Sequence, residues 1–128
     1  MGCRTRVMAN ICDKDNEISF GRGNLSFTSI NLPRLAIRSN GDVNEFFDKL
    51  DKMLDLCIVQ LLERFEIQCR RKVRNYPFLM GQGVWLDSDN LKPDDEVREV
   101  LKHGTLTIAR TTFSNAAKFL VGSPSIST

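Results

Sequence analysis

The residues of this chain best suited to covalent or metal chemistry are four cysteines and a single histidine. Cys3, Cys12, Cys57 and Cys69 are separated by nine, 45 and 12 positions, so no C-x-x-C pair occurs. A structural zinc site draws on ligands at short, recurring spacings, and His103 stands far from every cysteine, so no metal site is expected. Nothing in the spacing fixes a Cys–His nucleophile either, and no paired-carboxylate or Ser-His-Asp constellation can be read. Cys3 is the cysteine with a chemical setting: it follows Gly2 and precedes Arg4, whose positive charge favours a thiolate. The plain alternative is an exposed terminal thiol without a role. Cys57 falls on an apolar helical stripe and reads as core packing. Cys12 and Cys69 have no supporting pattern.

Two glycine-flanked turns could approach a ligand. Gly21-Arg22-Gly23-Asn24 permits unusual backbone angles or close contact with a bound group, but it lacks the lysine and the Ser/Thr of a P-loop. Gly81-Gln82-Gly83 is equally compatible with an ordinary turn. Arg70, Arg71, Lys72 and Arg74, with Tyr76, could touch nucleic acid. A solvated basic helix end explains them as well, and His103 reads as a residue of a helix C-terminus.

Composition favours the plainer choices. Eighteen basic against 16 acidic side chains leave a formal net charge of +2. Dedicated nucleic-acid binders rely on a strong basic surface, so no nucleic-acid partner is expected. With 41% apolar and 27% charged residues, the chain has the balance of a globular protein of about one domain. Its apolar runs are too short to span a bilayer, and the start, Met1–Arg6, lacks the apolar stretch of a signal peptide. The expectation is a cytoplasmic protein with reduced thiols and no membrane partner.

The elements that must position these residues follow from periodicity. Residues 1–38 read as strand and loop. Val7, Ala9 and Ile11 alternate with polar neighbours as in a half-buried strand, a polar turn covers 13–16, and Glu17–Phe20 resumes as the second arm of a hairpin. Leu25–Asn31 forms a further strand with Leu25 and Phe27 on one face, ending at Pro33. Asp42 is an N-cap with Glu45 in capping-box spacing. A long amphipathic helix follows, with Val43, Phe46, Phe47, Leu50, Met53, Leu54, Cys57, Ile58, Leu61, Leu62 and Phe65 on its apolar stripe. It runs towards the basic residues at 70–74, roughly 30 residues or 45 Å. Residues 76–91 are loop. A short helix from about Asn90 to Lys102 takes Pro93 in its first turn and stops at Lys102-His103-Gly104. Thr105–Ile108 is a strand. The fold class is α/β or α+β, with helices over a small sheet. So long a stripe over so few strands leaves apolar surface to be covered by something else.

The motifs together resemble the anaerobic (class III) ribonucleoside-triphosphate reductases, members of the glycyl-radical enzymes. The likeness rests on Met1-Gly2-Cys3-Arg4-Thr5, on Gly21-Arg22-Gly23-Asn24-Leu25-Ser26-Phe27-Thr28-Ser29-Ile30-Asn31-Leu32-Pro33-Arg34, on the long helix, on Phe78–Trp85 and on Leu101–Ile108. It covers about residues 1–108. The resemblance implies an α/β fold that is a partial piece of a ten-stranded glycyl-radical-enzyme barrel. Cys3 matches the catalytic cysteine that becomes a thiyl radical and abstracts the ribose 3′ hydrogen. Asn24 matches an active-site asparagine near the substrate ribose, and Gly21 and Gly23 shape the substrate-binding loop around it. The substrate would be a ribonucleoside triphosphate, reduced to a deoxyribonucleotide.

The resemblance also sets the expected departures. Family enzymes are several times longer. Their glycyl radical, installed by a radical-SAM activase, their ATP/dNTP effector sites and their structural zinc would lie in regions that this chain lacks, so no cofactor is expected within it. Residues 109–128 read as a divergent, partly disordered tail in which Lys118–Gly122 keeps a remnant of a family helix. The leading expectation is a fragment of an oxidoreductase that is inactive alone. Two alternatives come from other classes. One is a non-enzymatic remnant or interaction protein that binds a larger reductase, or its activase, through the amphipathic helix. The other is a nucleotide-binding module built on Gly21–Asn24.

Overall fold

The computed structural model describes residues 7, 9–15, 17–111, 116, 117 and 120. Its elements run β1 (Asn24–Asn31), α1 (Leu32–Arg38), α2 (Val43–Cys69), α3 (Arg98–Leu101) and β2 (Thr105–Thr111), with 3-10 turns at Val73–Asn75 and Ser88–Asn90. The architecture is mixed α/β. β1 and β2 form a two-stranded parallel sheet, joined through the long helix α2, as parallel strands require a crossover. The chain divides into two compact units: residues 1–27 with 61–107, and residues 28–60 with 108–128.

In the second unit, Ile30, Leu32, Leu35, Ala36, Phe46, Cys57 and Ala116 form a buried cluster, with Leu50, Leu54, Ile108 and Leu120 packed against it. α1 is a helix that the strand-and-loop reading of residues 1–38 passes over. Its signal is local: the Asn31 side chain accepts from the Arg34 N–H at 3.1 Å, and Pro33 sits in the first turn, where its missing N–H costs nothing. Asp42 caps α2 as expected, its Oδ1 accepting from the N–H groups of Asn44 and Glu45 at 2.9 and 3.3 Å.

In the first unit the core is Cys69, Val73, Met80, Val97, Val100 and Leu101, flanked by Leu25, Phe65, Tyr76, Trp85 and Leu91. Two expected helix boundaries move here, for one reason. α2 ends at Cys69 and no basic residue lies in its last turn, because the chain at 71–73 leaves the helix to pair with 95–97. Val73 N–H donates to Asp95 O, Val97 N–H donates to Arg71 O, and Lys72 and Glu96 form an antiparallel bridge. The same pairing holds 95–97 out of helical geometry and cuts the helix expected from Asn90 to the four residues of α3. Pro93 is therefore not in a helix, and its carbonyl accepts from Arg74 N–H. The stop at Lys102-His103-Gly104 holds, and β2 extends three residues beyond Ile108. Arg98 on α3 grips Glu66 on α2 with two hydrogen bonds of 2.9 and 2.7 Å. That contact holds the Glu66 carboxyl below the usual carboxylate range.

The expected hairpin at residues 7–20 is absent: among the described residues there, none is in a strand. Asn10 explains it. Its buried side chain accepts from the N–H groups of Cys12 and Asp13, an Asx turn that competes with ladder bonding. The expected turn at 13–16 has its Lys14 and Asp15 in a turn, with Asn16 outside the described residues. Gly122–Thr128 and most of Lys118–Gly122 also lie outside the described residues.

Much of the apolar stripe of α2 is bare. Val43, Phe47, Ile58 and Leu62 are 44, 54, 47 and 52% exposed, while Phe46, Cys57 and Leu61 are buried. Among the described residues no helix is long and apolar enough to cross a membrane.

Removing the Asp42 carboxylate leaves two N-terminal amides of α2 without an acceptor and costs about 1 kcal/mol locally. Asp42→Ala is expected to speed hydrogen exchange at Asn44 and Glu45 by roughly fivefold, with Leu61 unchanged; equal exchange at all three would refute the cap.

Candidate functional site: the Gly21–Asn24 turn

The turn that enters β1 is fixed from several sides. Gly21 has a φ of +65°, which favours glycine. A side chain there would also press on the backbone of Leu86, 3.2 Å from a Cβ, and the Gly21 carbonyl accepts from Leu86 N–H at 2.6 Å. The Gly23 carbonyl accepts from Thr105 N–H at 3.0 Å. Between the two glycines, the Arg22 guanidinium donates to three main-chain carbonyls: Nη2 to Ala9 at 2.6 Å, Nη1 to Ile18 at 2.8 Å and Nε to His103 at 2.7 Å. A planar guanidinium can direct donors along several fixed vectors at once, which an ammonium cannot. Arg22 thus ties the irregular segment before β1 to the segment that enters β2.

His103 is part of the same assembly and does more than end a helix. It is buried, with Nδ1 3.1 Å from Asn10 Nδ2. An amide nitrogen can only donate, so Nδ1 accepts and the ring proton sits on Nε2. That nitrogen lies 3.5 Å from Asp87 Oδ2. Asp87 has a φ of +63° and belongs to the same turn region as Trp85, whose indole N–H donates to Val100 O at 2.8 Å. The Gly81-Gln82-Gly83 segment is a turn: Gly81 N–H donates to Pro77 O and Gln82 N–H to Phe78 O.

Asn24, the first residue of β1, is held by this frame. Its Oδ1 is buried and has no hydrogen-bond partner among the described residues. Thr105 Oγ1, Gln68 Oε1 and Ser88 Oγ share that state. A buried acceptor left unpaired costs about 1–3 kcal/mol, so such atoms call for a reason. Gln68 also reaches the strand, donating Nε2 to Leu25 O. A cleft of about 400 Å³ opens nearby, bordered by Cys12, Arg22, Leu25, Phe65, Lys102 and Thr105 among others.

The structure therefore places Gly21 and Gly23 in the turn that enters β1 and Asn24 at the first position of that strand. Cys3 lies outside the described residues. Arg22, Asn10 and Thr105 are additions to the residues read from sequence. An arginine between two glycines was a visible signal for the first; the other two emerge from pairings about 80 to 93 positions apart. Cys57 packs in the core as expected. Cys69 is fully buried, and burial pushes its thiol pKa up. Cys12 is exposed and its Sγ donates to Lys102 O at 3.5 Å. Among the described residues no three His, Cys, Asp or Glu side chains gather as a metal site would require.

Comparison with known proteins decides the family. The family model for anaerobic ribonucleoside-triphosphate reductase matches residues 1–127. The chain belongs to the anaerobic ribonucleoside-triphosphate reductase family. Its relatives in this family include the reductase of Salmonella typhimurium, 35% identical over 109 residues that cover 85% of this chain and 15% of that protein. The reductase of Escherichia coli is 34% identical with the same coverage. That of Enterobacteria phage T4 is 33% identical over 113 residues, 85% of this chain and 18% of the phage protein. The chain thus spans less than a fifth of the length of the curated family members it matches.

Exposure separates the described cysteines: Cys12 is exposed, while Cys57 and Cys69 are buried. Under native conditions at neutral pH, iodoacetamide is expected to label Cys12 at least ~100-fold faster than Cys57 or Cys69, whose reaction waits on opening of the core. Peptide mass mapping would show it; equal labelling of Cys12 and Cys69 would contradict the packing described.

Proposed function

We propose that this chain is the part of an anaerobic ribonucleotide reductase that carries the thiyl cysteine, Cys3, and the ribose-facing asparagine, Asn24. The parent reaction reduces ribonucleoside triphosphates to deoxyribonucleotides. The observation that carries the proposal is the Asn24 amide oxygen. It is buried, unpartnered among the described residues and set at the start of a strand by a turn whose carbonyls are hydrogen-bonded to Leu86 and Thr105. An amide oxygen accepts a hydrogen bond without bringing a charge, which suits contact with a sugar hydroxyl.

In this reading Cys3 performs a hydrogen-atom transfer. Its sulfur radical takes the ribose 3′ hydrogen, so one C–H bond breaks, one S–H bond forms and the unpaired electron passes to the sugar carbon. A glycyl radical on another segment of the reductase would supply the one-electron chemistry that turns the Cys3 thiol into the sulfur radical. Effector nucleotides and structural zinc belong to other regions as well. What the chain's own residues do is narrower: Gly21 and Gly23 shape the turn, Arg22 anchors it, and Asn24 orients the ribose.

The two parallel strands belong in this reading to a ten-stranded barrel. Parallel strands are rarely left uncovered, and the outer edges of β1 and β2 together with the bare face of α2 suit burial against further strands and helices. The same bare residues support a second reading, a non-enzymatic chain that docks on a larger reductase through α2.

One experiment separates the two. Residues 1–108 replace the matching segment of a family reductase, which is then activated without oxygen. The hybrid is expected to carry the glycyl radical by electron paramagnetic resonance and to form deoxynucleotides. Cys3→Ala should keep the radical signal and lose at least about a thousandfold in turnover. A radical-bearing hybrid without turnover, or a Cys3→Ala form that still turns over, would refute the catalytic reading.

A further inference from the structure

We infer that Thr105 is a second ribose-binding residue, its hydroxyl acting beside the Asn24 amide on the first rung of the sheet. The inference rests on the reading of Asn24 given above.

Register places the two side chains together. Thr105 N–H donates to Gly23 O, and β1 and β2 begin at Asn24 and Thr105. In a parallel ladder, a residue whose N–H reaches the carbonyl of position i−1 is paired with residue i, so Thr105 is the partner of Asn24. At the far end, Thr111 Oγ1 donates to Ile30 O, which gives the same register. Directly paired residues project to the same face, on strands about 4.8 Å apart. Where the chain enters β2, a Cβ on Gly104 would lie 2.6 Å from Leu25 Cγ, so a larger residue there would displace the Leu25 side chain.

Both oxygens on this rung are buried and neither has a partner among the described residues, so they do not bond to each other. Their chemistry narrows what could satisfy them. Asn24 Oδ1 only accepts, and Thr105 Oγ1 can donate and accept. A phosphate at neutral pH presents mainly acceptors and cannot satisfy Asn24 Oδ1. A vicinal diol can: one hydroxyl donates to the amide oxygen while its neighbour exchanges a hydrogen bond with the threonine hydroxyl. The other two unpartnered oxygens belong to Gln68 on α2, whose Nε2 donates to Leu25 O, and to Ser88 in a 3-10 turn, and neither is a residue of this rung. A threonine kept only for its strand preference would behave differently, because valine is nearly isosteric, favours strands equally and would remove a buried unpaired hydroxyl.

The test uses the 128-residue chain, labelled for NMR and titrated with a ribonucleoside triphosphate and its 2′,3′-dideoxy analogue to millimolar concentration. The wild-type chain should show shifts at the Asn24 side-chain amide and the Thr105 amide, and should favour the ribonucleotide. Thr105→Val should shrink that preference by about tenfold, the worth of one hydrogen bond, with its melting temperature unchanged or raised. Thr105→Ser should restore the preference. If Thr105→Val keeps the preference while Asn24→Ala loses it, the role of Thr105 is refuted and that of Asn24 stands. If the wild-type chain shows no response at either residue, the rung is not a ribose site; the Cys3→Ala hybrid assay judges the reductase reading separately.

Discussion

The Arg22 guanidinium is the contact on which the site depends. Three of its N–H groups end on carbonyls of Ala9, Ile18 and His103, which belong to segments with no strand or helix ladder to hold them. Irregular backbone must still satisfy its polar groups, and here one side chain does so for three places at once. The consequence reaches both strands. Gly21 and Gly23 flank the arginine and pass their own carbonyls to Leu86 and Thr105, so the turn enters β1 and meets the start of β2 in a single arrangement. Asn24 and Thr105 inherit their positions from it.

Around this point the unit is tied by long-range polar contacts as much as by its apolar core. Asn10, 2% exposed, uses both ends of its amide: the oxygen turns its own segment and the nitrogen binds His103. Trp85 bonds Val100 and packs against the cluster around Cys69 and Val97. By contrast, the two-stranded sheet and the exposed side of α2 are unfinished surfaces by the usual standards of parallel sheets and amphipathic helices. A polar frame beside unfinished apolar faces is the pattern expected of one segment of a much longer protein. It agrees with a match covering 15 to 18% of family members.

Local signals in the sequence carried the parts of the fold that local physics decides. Asp42 and the apolar repeat predicted the start and face of α2; the Leu25–Asn31 and Thr105–Ile108 runs predicted the two strands. The failures have non-local causes. Val7, Ala9 and Ile11 alternate like a strand, but Asn10 spends its side chain on a turn and on His103, 93 positions away. α2 stops at Cys69 without a glycine or proline because residues 71–73 find partners at 95–97. At the candidate site, the Gly-Arg-Gly-Asn string and its family resemblance singled out Asn24. The clamp and the Thr105 rung became visible only once segments 81 residues apart were paired.

The central claim is that Arg22 holds the turn that presents Asn24. Hydrogen exchange in the Arg22→Lys variant tests it directly, because lysine keeps the charge and loses the fork of donors. Loss of these charge-assisted bonds should speed exchange of the Thr105 and Leu86 amides by roughly ten- to a hundredfold, while the Val97 amide, bonded to Arg71 in the same unit, stays protected. Unchanged protection at Thr105 and Leu86 would contradict the account.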